Sequence, residues 1–139
     1  NPRARFVVLR DNDGAPCSEL KKRLSEKCPS NRRSLIKIRL VMQMLEAWLL
    51  GDPLAVEKAY GVKRQILNRR KFRDPDALAN ASEELKKLVP GYQKVSGARE
   101  IAKHMKIQQN KSRSFKVFWE GLEALVATIV GGQGPEEEE

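Results

Sequence analysis

The chain has 139 residues, 40% of them hydrophobic and 32% charged, enough for one domain with a real core. No apolar run approaches the roughly 20 residues that span a bilayer and no secretory leader is visible, so a cytoplasmic protein without membrane segments is expected. Lysine and arginine exceed the acids by 9, and four of the 18 acids are the terminal glutamates; the chain before them carries +13, a balance that points to a polyanion such as nucleic acid.

The first predicted element is a strand over residues 5–10. Its near-continuous apolar run, Phe6 to Leu9, is the pattern of a strand covered on both faces. It runs straight into Asp11-Asn12-Asp13-Gly14. Loops at the carboxyl edge of a parallel sheet gather ligands. Two carboxylates one residue apart can share a hard cation such as Mg2+; the same residues also make an ordinary Asp-Gly turn. An EF-hand is excluded, because its bidentate glutamate would fall on Lys22.

Next, Cys17, Leu20, Leu24 and Cys28 recur at three and four, opposite Lys21, Lys22 and Lys27, which predicts an amphipathic helix ended by Pro29-Ser30. Eleven helical residues would set the two thiols roughly 16 Å apart, beyond disulfide reach. With one histidine in the chain, a zinc set is not in view. SLIKIRL, 34–40, reads as a second strand. Strand, helix, strand is a βαβ unit with a parallel sheet and a right-handed crossover. No third strand follows. Two strands alone are marginal, so the sheet is expected to lack an N-terminal strand, or to be completed by an oligomer or a partner chain.

LVMQMLEAWLL, 40–50, reads as a buried helix, with Glu46 its only charge and Gln43 one turn earlier on the same face. An unpaired buried carboxylate is costly, so Glu46 should sit at a rim, pair with a cation, or face a metal. Asp52-Pro53 then caps and opens a helix, and Asp74-Pro75 repeats the device. A helix containing Leu85 and Leu88 breaks at Pro90-Gly91. Another covers 96–105, with Ala98, Ile101, Ala102 and Met105 on one face. The strongest helical stripe runs from Phe115 to Ile129, and residues 131–139 read as a flexible acidic tail after a single domain, 1–130.

Two basic clusters stand out. KRQILNRRKFR, 63–73, surrounds Phe72 with cations that include Arg69, Arg70, Lys71 and Arg73. NKSRSFK, 110–116, puts Lys111, Arg113 and Lys116 at a helix start. There, free N–H groups and the hydroxyls of Ser112 and Ser114 could receive phosphate, or simply cap the helix.

VLRDNDG, LEAWLLGD, KFRDPDAL, YQKVSGAREIA and NKSRSF, in that order from about Arg5 to Leu125, resemble an uncharacterised prokaryotic family, domain of unknown function 4276. Members look like relatives of the Toprim fold, often encoded beside ABC-type ATPases in phage-defence clusters. The resemblance implies a metal-dependent nuclease acting with an ABC-type ATPase. The fold would be a Toprim-like α/β core with a short parallel sheet and a helical C-terminal half. Asp11 and Asp13 match the Asp-x-Asp pair that holds Mg2+ or Mn2+, and Glu46 matches the glutamate before the family's Ala-Trp. These three are the implied catalytic set. Lys94, Ser112, Arg113 and Ser114 also fall on motif positions, and with Arg69, Arg70, Lys71, Arg73, Lys111 and Lys116 they form the implied nucleic-acid grip. Two positions depart from the pattern. Met44 stands where the family usually has an acid, and the Toprim glutamate belongs to an earlier strand that is not in this sequence.

Two other functions fit the same residues. One is a non-catalytic basic adaptor that docks on an ATPase and nucleic acid. The other is a haloacid-dehalogenase-type phosphatase, with Asp11 as nucleophile and Asp13 as acid/base.

Overall fold

In the computed structural model, which describes residues 3–131, the chain is a mixed α/β protein with a two-stranded parallel sheet and a helical remainder. The acidic tail predicted over 131–139 lies, Gly131 apart, outside the described residues. Strand β1 (Phe6–Asp11) pairs in parallel with β2 (Ile36–Val41), from Phe6 opposite Ile36 to Asp11 opposite Val41. Helix α1 (Cys17–Glu26) makes the crossover, followed by a 3-10 turn over Ser30–Leu35. Then come α2 (Glu46–Leu50), α3 (Pro53–Tyr60), α4 (Arg64–Leu67), α5 (Ala81–Leu88), α6 (Lys94–Ala102) and α7 (Arg113–Val130).

The expected helix over 40–50 is only half a helix. Leu40 and Val41 finish β2, Gln43 turns the chain at φ 66°, and α2 begins at Glu46. An apolar run does not by itself distinguish buried strand from buried helix, and here the strand takes its first two residues. The Gln43–Glu46 helical pair is therefore absent: Gln43 lies in the turn, its N–H donating to Asn12 Oδ1 at 2.7 Å. The shorter helix has a consequence for the site, since it leaves Glu46 on the first turn of α2, beside the end of β1.

The other local signals fare unevenly. Asp52 caps α3 as its sequence predicts, Oδ1 accepting from Ala55 N at 3.1 Å, and Oδ2 accepts the distant Lys106 N–H at 2.9 Å. Asp74-Pro75 opens only a 3-10 turn, Pro75–Ala77, with no side-chain cap. Helix α6 starts two residues earlier than 96 and stops at Ala102. Cys17 and Cys28 are free thiols.

Two cores hold the elements. The larger joins Leu50, Val56, Leu67, Phe72, Leu85 and Ile101 from the helical half. The smaller joins Val41, Trp48 and Phe115, with Phe118 against them, and fixes α7 to β2. Because α1 and α7 pack mainly on β2, β1 is less covered than its composition implies: Val7 and Val8 are half-buried, and Phe6 and Leu9 are exposed. The expectation of a strand covered on both faces does not hold here. Among the described residues each strand has one neighbour. No described helix is long and apolar enough to cross a membrane.

Candidate functional site

The turn after β1 is built around Asn12, whose side chain is buried. Its Oδ1 accepts the Gln43 N–H, its own N–H donates to Val41 O at 3.0 Å, and Ala15 N–H returns to its carbonyl at 2.8 Å. The loops leaving β1 and β2 are thereby pinned together, so Asp11 and Glu46 are set by one scaffold. Asp13 and Gly14 complete the turn in the left-handed region, at φ 48° and 76°. An aspartate tolerates that region better than most residues, and glycine enters it freely.

Asp11 opens into a cavity of about 410 Å³ at the carboxyl end of β1, shared with Glu46 from α2 and Lys94, Tyr92 and Arg99 from α6 and its approach. Lys94 Nζ lies 3.7 Å from Glu46 Oε1, a loose pair in which the glutamate is buried and the lysine exposed. Burial above all, then the charges of Asp13 and Glu46, holds the Asp11 carboxyl above the usual carboxylate range, and Lys94 pulls it back down. Burial, with Glu46 and Tyr60 adding to it, pushes the Tyr92 hydroxyl up to about 12. That phenol keeps its proton at neutral pH and can donate it in a hydrogen bond.

Asp13 points elsewhere. It lines a second cavity, on the α1 side of the turn, together with Arg10, Arg23 and Lys27. The aspartates are near enough to repel but face different spaces, whereas Glu46 faces the space of Asp11. Met44, in place of the family's acid, is packed against the larger core, with its sulfur accepting the Ser82 N–H at 3.2 Å. Among the described residues no three of His, Cys, Asp and Glu gather tightly enough to hold a metal. Mg2+ asks for less, one or two carboxylates with water and substrate oxygens around them, and Asp11 and Glu46 are the two carboxylates of this cavity that could supply them. Burial is the main cause of the raised Asp11 pKa, and the smaller share that comes from Asp13 and Glu46 is what a divalent cation would relieve.

The basic residues separate into roles. Arg69, Arg70, Lys71 and Arg73 are all exposed around the 3-10 turn Arg70–Phe72. Lys71 is engaged, bonding Glu84 at 2.6 Å and lying 4.9 Å from the centre of the Phe72 ring. Lys111 joins this group through Asn68 Oδ1 at 2.9 Å, and burial, with Arg73 nearby, lowers its pKa. The two clusters seen in sequence thus meet at Lys111. Arg113 and Lys116 are exposed on the first turns of α7.

Ser112 and Ser114 have internal partners. Both hydroxyls donate to Asp76 Oδ1, at 2.7 and 2.9 Å, Ser114 N–H donates to Asp76 Oδ2 at 2.8 Å, and Trp48 Nε1 donates to Ser114 Oγ at 2.7 Å. Ser112 Oγ also accepts the Phe115 N–H at 3.1 Å, as a helix N-cap does. Asp76 is the anion at this helix start, where the sequence left phosphate and simple capping both open. No sequence signal marks Asp76 as that partner, since it lies 36 residues from Ser112. Tyr92 and Arg99, also missed from sequence, reach the Asp11 cavity only because α6 packs beside α2.

The arrangement defines an α/β protein with a cavity at the carboxyl edge of a parallel sheet that sets two acids, Asp11 and Glu46, beside two bases, Lys94 and Arg99. More particularly, the chain belongs to the domain of unknown function (DUF4276) family, whose sequence model matches residues 1–123. No curated protein and no solved structure matches it.

Proposed function

We propose that the chain is a Toprim-like, metal-dependent nuclease that hydrolyses phosphodiesters of DNA or RNA in the cytoplasm, with an ABC-type ATPase as partner in prokaryotic phage defence. The ATPase and the defence role rest on the family resemblance; the chemistry rests on one observation. Asp11, Glu46 and Lys94 come from three separate elements to one cavity. Asp11 and Glu46 would hold Mg2+ or Mn2+, which supplies charge stabilisation on the phosphoryl oxygens. Lys94 would place its ammonium against a non-bridging phosphate oxygen, drawn from its loose contact with Glu46 by the stronger anion. Tyr92, neutral throughout the working range, would donate a hydrogen bond to the same group. Arg69, Arg70, Arg73, Lys111 and Lys116 would hold the flanking backbone as point charges.

The adaptor reading draws support from the divergence of Asp13 and from the lysine beside Glu46. A phosphatase needs Asp11 at the phosphorus and Asp13 at the leaving oxygen of one phosphate ester, and their separate cavities do not favour it.

The discriminating experiment is Mg2+ titration by calorimetry, paired with cleavage of labelled single- and double-stranded DNA and RNA, alone and with the ATPase. Asp11→Asn and Glu46→Gln should each lower cleavage at least 100-fold, and both should weaken Mg2+ binding. Since the Asp11 pKa is raised, Mg2+ affinity should fall with decreasing pH earlier than for an ordinary aspartate. Tight ATPase binding with no Mg2+ heat and no cleavage would establish the adaptor instead.

A further inference from the structure

We propose that Arg10, Arg23 and Lys27 form a phosphate-binding site on the α1 side of the Asp11–Gly14 turn, and that its ligand is a backbone phosphate of the bound nucleic acid. The cavity there is about 180 Å³, small and polar, the size of one phosphate group with its water. Its cations come from two elements. Arg10 leaves β1 one residue before Asp11, and Arg23 and Lys27 lie four apart on α1 and its C-cap, so they share one face.

Their charges are only partly compensated. Like charges at that spacing repel, and the third cation from β1 adds to the repulsion. Among the described residues none of the three has an ion pair or a side-chain hydrogen bond. Glu19, placed four residues before Arg23 where a helical pair could form, makes none. The single carboxylate lining the cavity is Asp13, which leaves the lining at +2. Leu20 and Leu24 also line the cavity, and the three cations are exposed and open to a ligand.

The Asp11–Gly14 turn thereby separates the cavity that holds Asp11 and Glu46 from this basic one. A strand crossing the turn would put one phosphate at Asp11 and Glu46 and a neighbouring phosphate at Arg10, Arg23 and Lys27. Assigning the phosphate to nucleic acid rests on the proposed function; the anion site itself does not.

The test is binding without chemistry. In EDTA, the affinity of a fluorescein-labelled single-stranded oligonucleotide is measured against salt for the full chain and for Arg23→Gln/Lys27→Gln. The control, Lys22→Gln/Lys58→Gln, removes equal charge from exposed positions outside the cavity. The cavity variant should lose about tenfold in affinity, and its log–log salt slope should drop by roughly 0.7, the contribution of one single-strand phosphate. The control should stay within about twofold. Inorganic pyrophosphate should compete with the oligonucleotide on the unmodified chain and not on the cavity variant. Equal losses in the two variants would overturn the site in favour of diffuse attraction. Pyrophosphate binding as tight as the oligonucleotide would overturn the backbone assignment in favour of a free phosphate compound. Failure of the nuclease reading appears separately, as cleavage that survives Asp11→Asn.

Discussion

At the scale of single residues, the site carries its own destabilisation. Asp11 is partly buried with Asp13 and Glu46 close by, and its raised pKa means that the folded chain holds the proton more tightly than the unfolded chain does. Any stability it contributes is present below its unfolded pKa and is lost as pH rises through the folded value, so at neutral pH the ionised group opposes folding. Asp11→Asn removes that opposition. The variant should be more stable than the parent to urea at pH 7, with the difference vanishing at low pH where both side chains are neutral, and it should lose Mg2+ binding. A variant less stable at pH 7 would mean that Asp11 is compensated by a partner other than Lys94. Gaining stability while losing function is the usual signature of a strained active-site group.

At the scale of elements, what was legible in the sequence was what short spacings decide. Asp52-Pro53 announces α3 because cap and first turn are adjacent, and the three-and-four recurrence of Cys17, Leu20 and Leu24 announces α1. The parallel βαβ order followed from the same local patterns. The β2–α2 boundary was not legible, because residues 40 to 50 are apolar in either state and the turn at Gln43 depends on Asn12, 31 residues away. Of the site, Asp11 could be picked out with Asp13 as a carboxylate pair after the strand, and Glu46 as the one charge in an apolar run, but the cavity that Asp11 and Glu46 share depends on packing. The start of α7 was legible as a cap and not as a network. Asp76 there receives three bonds from Ser112 and Ser114, and Ser114 in turn holds the Trp48 indole. Asp76→Ala should leave those donors without their acceptor, release the first turn of α7 and cost about 3 kcal/mol, given the usual value of hydrogen bonds to charged groups. Urea unfolding followed by tryptophan fluorescence measures it; a loss under about 0.5 kcal/mol, within the range of an ordinary surface substitution, would show that α7 is held by Phe115 and Phe118 alone.

At the scale of the whole molecule, charge and apolar surface oppose each other in a way that salt can separate. The chain carries +9, and α1 and the 63–73 segment are rich in cations, so two copies repel at low ionic strength. Yet β1 leaves one edge unpaired among the described residues, with Phe6 and Leu9 exposed at 44% and 42%. An open edge with apolar side chains is a template for another strand. Raising salt from 0.01 M to 1 M shortens the screening length from about 30 Å to about 3 Å, removing the repulsion while leaving the apolar attraction. Nucleic-acid binding should therefore weaken with salt while self-association through β1 strengthens. Sedimentation velocity should show a monomer in low salt and a concentration-dependent dimer in high salt, and Phe6→Lys/Leu9→Lys should keep the chain monomeric in both. A monomer at every salt and concentration would mean that the edge does not accept its own kind, and would leave a strand of different sequence as the element that completes the sheet.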